Sequence, residues 1–285
     1  MNRIIIYDYS PSLTDRLSGE ELIPRVTRVE EVEPAYNSAR RANTVFCVWL
    51  DAPLMSLSDL RLETLNESIP IVAHVYSLGD IFRLLSSIDT LRRLSLRVFL
   101  SSSSDENFSS IKVLSSLGVD TGLLFDALHI DDERFLDLAS YSLLGQVPHA
   151  SIEPFDYIWR NIQQDKNLGF DTVFFVNPQK YIYVNENLDF SLTRQDLQDK
   201  KYIGNLNLMK EIDFETETKF KFDDYYSHFF TLDSCSRCPS FKVCNRASRD
   251  KFKNCQDVFA SIFEYAEIRD GLERQNNNPK ELCQL

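Results

Sequence analysis

The residues with the clearest chemical potential are cysteines. Of the six in this 285-residue chain, four fall between 235 and 255: Cys235-Ser-Arg-Cys238-Pro-Ser-Phe-Lys-Val-Cys244, then Cys255. A C-x2-C turn can direct two thiolates at one ion, and two further thiolates complete a tetrahedral sulfur shell. Softness and geometry then leave zinc or an iron–sulfur cluster as occupants. Spacing alone favours zinc, the commoner of the two. Arg237, Pro239, Lys242, Arg246 and Arg249 surround these thiols, a setting too basic and too poor in apolar residues for ordinary core cysteines. Metal ligands are therefore expected at Cys235, Cys238, Cys244 and Cys255, with Cys283 the other choice for the fourth position. Cys47, inside "TVFCVWL", reads as a buried structural thiol.

Other chemistry is sparse. Among four histidines, His74 and His149 lie in apolar segments and read as core or rim residues. His129 borders "HIDDE", a helix start, and His228 is the one close to the cysteines, an alternative ligand for a Cys3His zinc site. Glu153 and Asp156 in "SIEPFDYIW" read as surface carboxylates, with nothing nearby in sequence to pair them. There is no Ser-His-Asp order, P-loop, dinucleotide fingerprint or paired-histidine helix. The stretch "FETETKFKFDDYYSHFF" (Phe214–Phe230) alternates charged and aromatic residues. It is expected either as an edge strand packed beneath the metal site or as an edge that pairs with an extended peptide.

The totals exclude several classes. A net charge of −12 repels phosphate backbones, so nucleic acid is not an expected partner. The start Met-Asn-Arg-Ile-Ile-Ile-Tyr-Asp lacks the pattern of a signal peptide, and no apolar run nears the roughly 18 residues of a membrane span. The expectation is a soluble cytoplasmic protein with no membrane association. In that reducing compartment a tight cysteine cluster favours metal over disulfides.

The elements that must position this chemistry follow from the hydrophobic pattern. Arg3–Tyr7, Thr44–Leu50, Ile69–Tyr76, Leu94–Leu100, Val119–Phe125 and Val147–Ile152 are apolar runs of strand length, several continuous, as in strands buried on both faces. Between them, Leu78–Asp89, Asn107–Leu117 and Asp131–Leu144 repeat apolar residues at helical spacing, with Gly118 a stop signal for the second. Such alternation predicts α/β architecture, with parallel strands joined by helical crossovers in an open sheet or partial barrel. "SSSSDENFSS" (Ser101–Ser110) is a polar loop with helix-start chemistry. Beyond Lys166 the texture changes. Thr172–Val176 and Tyr181–Val184 flank Asn177-Pro178-Gln179-Lys180 and predict a hairpin. The cysteines follow, then an amphipathic helix from about Val258 with Phe259, Phe263 and Ala266 on one face. These shifts divide the chain into residues 1–168 and 169–285.

The succession "VFFVNPQKYIYV", "IGNL" and C-x2-C-x5-C resembles the C-terminal SPASM/twitch extension of radical SAM peptide maturases, over about residues 170–265. The α/β repeats before it look like that family's partial (β/α) TIM-like barrel. The resemblance implies a cysteine-rich module with a β-hairpin and C-terminal helix, holding one auxiliary 4Fe–4S cluster rather than zinc on Cys235, Cys238, Cys244 and Cys255. The four cysteines match the family's second auxiliary cluster; its next C-x3-C step falls on Ser248, and its hairpin cysteine on Val184 or Asn185, so the ligands of the first auxiliary cluster are missing. The defining C-x3-C-x2-C motif is missing as well. Cys47 and Cys283 cannot supply its three thiolates, and only 41 residues follow Cys244. None of the eight glycines are adjacent, so the family's Gly-Gly-Glu segment is absent, and "HVYSLGD" offers only Gly79 and Asp80. The implication is a catalytically degenerate accessory protein that does not cleave S-adenosylmethionine. Its expected partners are a ribosomally made precursor peptide, an active maturase, or both. The alternatives are an electron-transfer subunit of a peptide-modifying enzyme and a zinc-stapled binding protein.

Overall fold

The computed structural model describes residues 3–162, 170–177, 180–208, 238 and 251–277. Its elements run β1 (Ile4–Asp8), α1 (Pro11–Arg16), β2 (Glu21–Val26), α2 (Val32–Ala39), β3 (Thr44–Val45), β4 (Val48–Ser56) and β5 (Ile71–Ser77). Next come α3 (Ile81–Leu85), α4 (Ile88–Arg93), β6 (Leu96–Ser101), α5 (Glu106–Ser116), β7 (Asp120–Leu124), α6 (Asp132–Leu144), β8 (Ile152–Glu153) and α7 (Phe155–Asn161). The remainder are β9 (Tyr181–Val184), β10 (Asp189–Ser191), α8 (Arg194–Gln198), β11 (Gly204–Asn205) and α9 (Cys255–Asn277). This is a mixed α/β fold whose strands pair mostly in parallel.

Two compact units divide it, one of residues 1–97 with 174–237 and one of 98–173 with 238–285. In the first, strands lie in the order β11-β10-β9-β1-β2-β4-β5, with β3 beside β2. β1 pairs in parallel with β2 (Ile4↔Glu21 to Asp8↔Arg25) and with β9 (Ile4↔Tyr181 to Tyr7↔Val184). Alternation then sorts side chains to two faces. Ile5, Tyr7, Leu22, Ile182 and Val184 join Leu13, Leu17 and Ala39 in one core cluster. Ile4, Ile6, Ile23, Trp49, Tyr181 and Tyr183 join Cys47 and Phe175 in another. Both faces are covered, which is why the strand sequences read as continuous apolar runs.

In the second unit β6, β7 and β8 are successive neighbours, and α9 packs on α6 and α7. Val258, Phe259, Ile262 and Ala266 form the buried stripe of α9. Phe252 fills the space beside it, its ring 4.7 Å from that of Phe135 and 6.0 Å from that of Phe259. Phe263, expected on the same face, is only half-buried. No helix among the described residues is long and apolar enough to cross a membrane.

Three local expectations are corrected. Thr172–Val176 is not a hairpin arm, because Phe170–Phe174 is a 3-10 helix and Phe175 follows with φ 61°. That turn tucks Phe175 into the core, where the Tyr183 hydroxyl donates to its carbonyl at 2.8 Å. The hairpin instead joins β9 to β10. Its turn is organised by Asn185, whose Oδ1 accepts from the amides of Asn187 (2.9 Å) and Asp189 (3.0 Å). Leu78–Asp89 is not one helix but two, α3 and α4, parting where the Ser86 hydroxyl donates to the Arg83 carbonyl. Of Val147–Ile152, only Ile152 enters a strand.

Candidate functional site

The chemistry that the structure places together lies in the first unit, where charged residues replace the apolar ones along β1, β2 and β4. Asp8 ends β1 and stands opposite Arg25 of β2, while Asp51 of β4 stands opposite His74 of β5. Arg25 reaches both carboxylates. Its Nε donates to Asp51 Oδ2 at 2.8 Å, its Nη2 to the same oxygen at 2.5 Å, and its Nη1 to Asp8 at 2.5 Å. Arg194, the first residue of α8, adds a third bond to Asp51 Oδ2, from Nη1 at 3.0 Å. Thr193 holds α8 in place, since its hydroxyl oxygen accepts from the Asp196 amide at 3.1 Å and its proton goes to the Asp196 carboxylate at 2.7 Å.

Asp51 is 6% exposed and Arg25 11%, whereas Asp8 is 80% exposed. Burial alone would loosen the Arg25 proton, but hydrogen bonds and charge from Asp51, then from Asp8, outweigh it and hold its pKa above the ordinary value. Below these ions lies an aromatic wall. The Trp49 ring centre is 5.1 Å from that of His74 and 5.5 Å from that of Phe175. The guanidinium carbons of Arg25 and Arg194 stand 5.5 and 6.0 Å from the Trp49 ring centre, within cation–π range. The indole Nε1–H of Trp49 is buried and meets no hydrogen-bond acceptor among the described residues. Tyr183 lies alongside, its phenol pushed upward in pKa by burial.

Sequence reasoning passed over this cluster. The available signal was one ion at or near the end of each of three apolar runs: Asp8 after "IIIY", Arg25 in "LIPRV" and Asp51 in "VWLDA". A charge in a strand buried on both faces needs a partner.

Of the expected metal ligands, Cys238 and Cys255 have intermediate exposure and both lie in the second unit, Cys255 being the first residue of α9. Cys235, Cys244 and Cys283 lie outside the described residues, as do Phe214–Phe230 with His228, and Pro178–Gln179. Among the described residues, no group of three or more His, Cys, Asp or Glu is arranged to hold a metal ion. Cys47 is buried, as its apolar neighbours imply, and burial pushes its thiol up to about 12. His74 is buried against Trp49, and His149 stacks on Tyr141 at 5.1 Å.

Glu153 and Asp156 are buried, not surface carboxylates. Each serves the backbone: Asp156 Oδ2 accepts from the Ile152 amide at 2.6 Å and Glu153 Oε2 from the Tyr157 amide at 3.0 Å. Arg269 approaches Asp156 Oδ1 at 3.4 Å and lies 3.8 Å over the Trp159 ring. The two backbone partners lie within "SIEPFDYIW" itself, four positions away in each case, whereas Arg269 comes from 113 positions on, so the segment alone could not announce that ion pair. No protein-family model and no curated protein matches this chain.

Proposed function

We propose that the protein is a catalytically degenerate relative of radical SAM peptide maturases. In this reading a partial (β/α) TIM-like barrel is joined to a SPASM/twitch-like module holding one 4Fe–4S cluster on Cys235, Cys238, Cys244 and Cys255. It acts as an accessory that binds a precursor peptide or an active maturase. The observation that carries this reading is the start of the sheet. β1 leads through Tyr9 and Ser10 directly into α1, which Ser10 caps by accepting from the Leu13 amide at 3.2 Å. In radical SAM enzymes the loop after the first barrel strand holds three cysteines; here it holds none.

Two features lend further support. The "GN" segment forms β11 beside the β9–β10 hairpin. The donor set also fits a thiolate-bound group, since Cys238 and Cys255 are both partly accessible. When bound, such a cluster supplies either a fixed structural tie or a one-electron relay.

Metal and sulfide analysis with a visible spectrum, on protein purified without oxygen, tests the reading. About four iron and four sulfide per chain with a broad brown absorbance are expected. About one zinc and no colour would reject the cluster and leave a zinc-stapled domain. A native-host pull-down recovering neither a peptide nor a maturase would reject the accessory role.

A further inference from the structure

We propose that Asp132 is a positioning residue for the metal site, fixing the backbone that leads into Cys255. The inference deepens the preceding reading and rests on its assignment of Cys255 as a ligand. Contacts within the second unit carry it. Asp132, the first residue of α6, spends both carboxylate oxygens on the backbone just before α9. Its Oδ1 accepts from the Lys253 amide at 3.1 Å and its Oδ2 from the Asn254 amide at 3.0 Å. Lys251 adds two ties to the loop before α6. Its carbonyl accepts from the Ile130 amide at 2.7 Å, and its ammonium donates to the Ala127 carbonyl at 2.5 Å. Between these ties Phe252 is buried, its ring 5.9 Å from that of Phe125 and 4.7 Å from that of Phe135.

The role follows from what a thiolate ligand needs. A ligand on loose backbone must be ordered when the ion binds, and that entropy is lost from the affinity. Here the ordering is done beforehand. The Asn254 carbonyl accepts from the Val258 amide at 3.0 Å, so the clamp meets α9 one residue before Cys255. Cys255 itself is not sealed in the core and keeps intermediate exposure. The neighbouring Asp131 does a different job, capping α6 by accepting from the Arg134 amide at 2.9 Å. Two carboxylates at one helix end thus divide the work. One starts its own helix, and the other holds a chain segment that arrives from more than a hundred positions away.

The full chain, Asp132→Asn and Asp131→Asn are purified without oxygen and reconstituted with iron and sulfide and, in parallel, with zinc. Asp132→Asn keeps one accepting oxygen and turns an N–H₂ group toward the other amide. Asp131→Asn removes the same charge from the same helix end, still caps α6, and leaves the clamp intact. Release of metal to excess chelator is timed, with urea midpoints measured alongside. Asp132→Asn should release its metal about tenfold faster than the unsubstituted chain, the usual scale for a group that orients a ligand, and Asp131→Asn at an unchanged rate. In metal-free protein, hydrogen exchange at the Lys253 and Asn254 amides should rise in Asp132→Asn and not in Asp131→Asn. Unchanged release or unchanged exchange in Asp132→Asn, or equal acceleration by both variants, would overturn the inference and leave the metal reading standing. An unsubstituted chain that takes up neither metal would overturn both. Should Asp132→Asn fail to fold, Asp132→Glu takes its place, keeping the charge and both oxygens one methylene further out. A smaller acceleration is then expected, and none would overturn the inference.

Discussion

Asp51 holds two guanidiniums with a single oxygen while almost wholly removed from water. Removing its charge strands Arg25, itself nearly buried, without its main counter-ion, and uncompensated buried charge is among the costliest single-site defects. Asp51→Asn is expected to lower stability by about 3–5 kcal/mol, read as a fall in the urea midpoint. Asp8→Asn removes a partner of the same arginine but from an exposed position, and should barely move the midpoint. Equal losses from the two would mean that Arg25 finds other compensation.

A second residue-scale effect depends on pH. The Tyr7 hydroxyl is paired with Thr14 Oγ1 at 2.9 Å, and burial pushes its pKa from 10.0 up to about 12. The folded state therefore holds this proton more tightly than the unfolded chain does. Its contribution is intact below about pH 10 and is lost as pH rises toward 12. Urea midpoints should drop between pH 8 and pH 11, and drop less in Tyr7→Phe. An identical drop in the variant would place the alkaline sensitivity elsewhere, Cys47 being the next candidate.

At the scale of elements, legibility followed how local the determining physics was. α5 and α6 were predicted to within a residue or two, because both carry apolar residues at helical spacing. α6 also has its own cap, Asp131 accepting from the Arg134 amide at 2.9 Å. β2 went unseen, since Pro24 within "ELIPRV" argues against a central strand, yet β2 lies between β1 and β4. The hairpin is displaced by one strand because Phe175 packs in the core rather than in an extended backbone, against Trp49 from far away in sequence and with its carbonyl held by Tyr183 eight residues on. The ion cluster was invisible for the same reason, since Asp51 and Arg194 lie 143 positions apart.

"IGNL" has a mechanical role in the first unit. Asn205 donates from Nδ2 to the Asn187 carbonyl at 2.9 Å and to Asp189 Oδ1 at 2.8 Å, tying β11 to the hairpin turn. A Cβ on Gly204 would lie 2.9 Å from the buried Phe190 ring. Gly204→Ala should therefore cost about 1–3 kcal/mol through overpacking, and Asn205→Ala about 1–2 kcal/mol through two lost hydrogen bonds. Hydrogen exchange localised to the β9–β10 turn would accompany the loss in Asn205→Ala. Unchanged exchange there would deny the tie.

At the scale of the whole molecule, the six thiols form a set whose reactivity separates burial from ligation. Cys47 is protected by the core, with its thiol held near 12 by burial. Cys238 and Cys255 have no such protection, being partly exposed. If they resist alkylation in the native protein and yield to it after chelation, ligation is the cause, because a metal-bound thiolate has its lone pairs engaged. With Cys235, Cys238, Cys244 and Cys255 as the ligand set, iodoacetamide under oxygen-free conditions should label Cys283 alone, counted by mass on the intact chain. After a chelator strips the metal, all but Cys47 should label. If Cys47 also reacts then, metal loss has opened the core and the site is a structural tie, as in small domains that fold only around their ion. If Cys47 stays silent, the fold survives without metal and a redox role keeps its footing. Labelling of Cys238 and Cys255 before any chelation would remove the metal site from the molecule altogether.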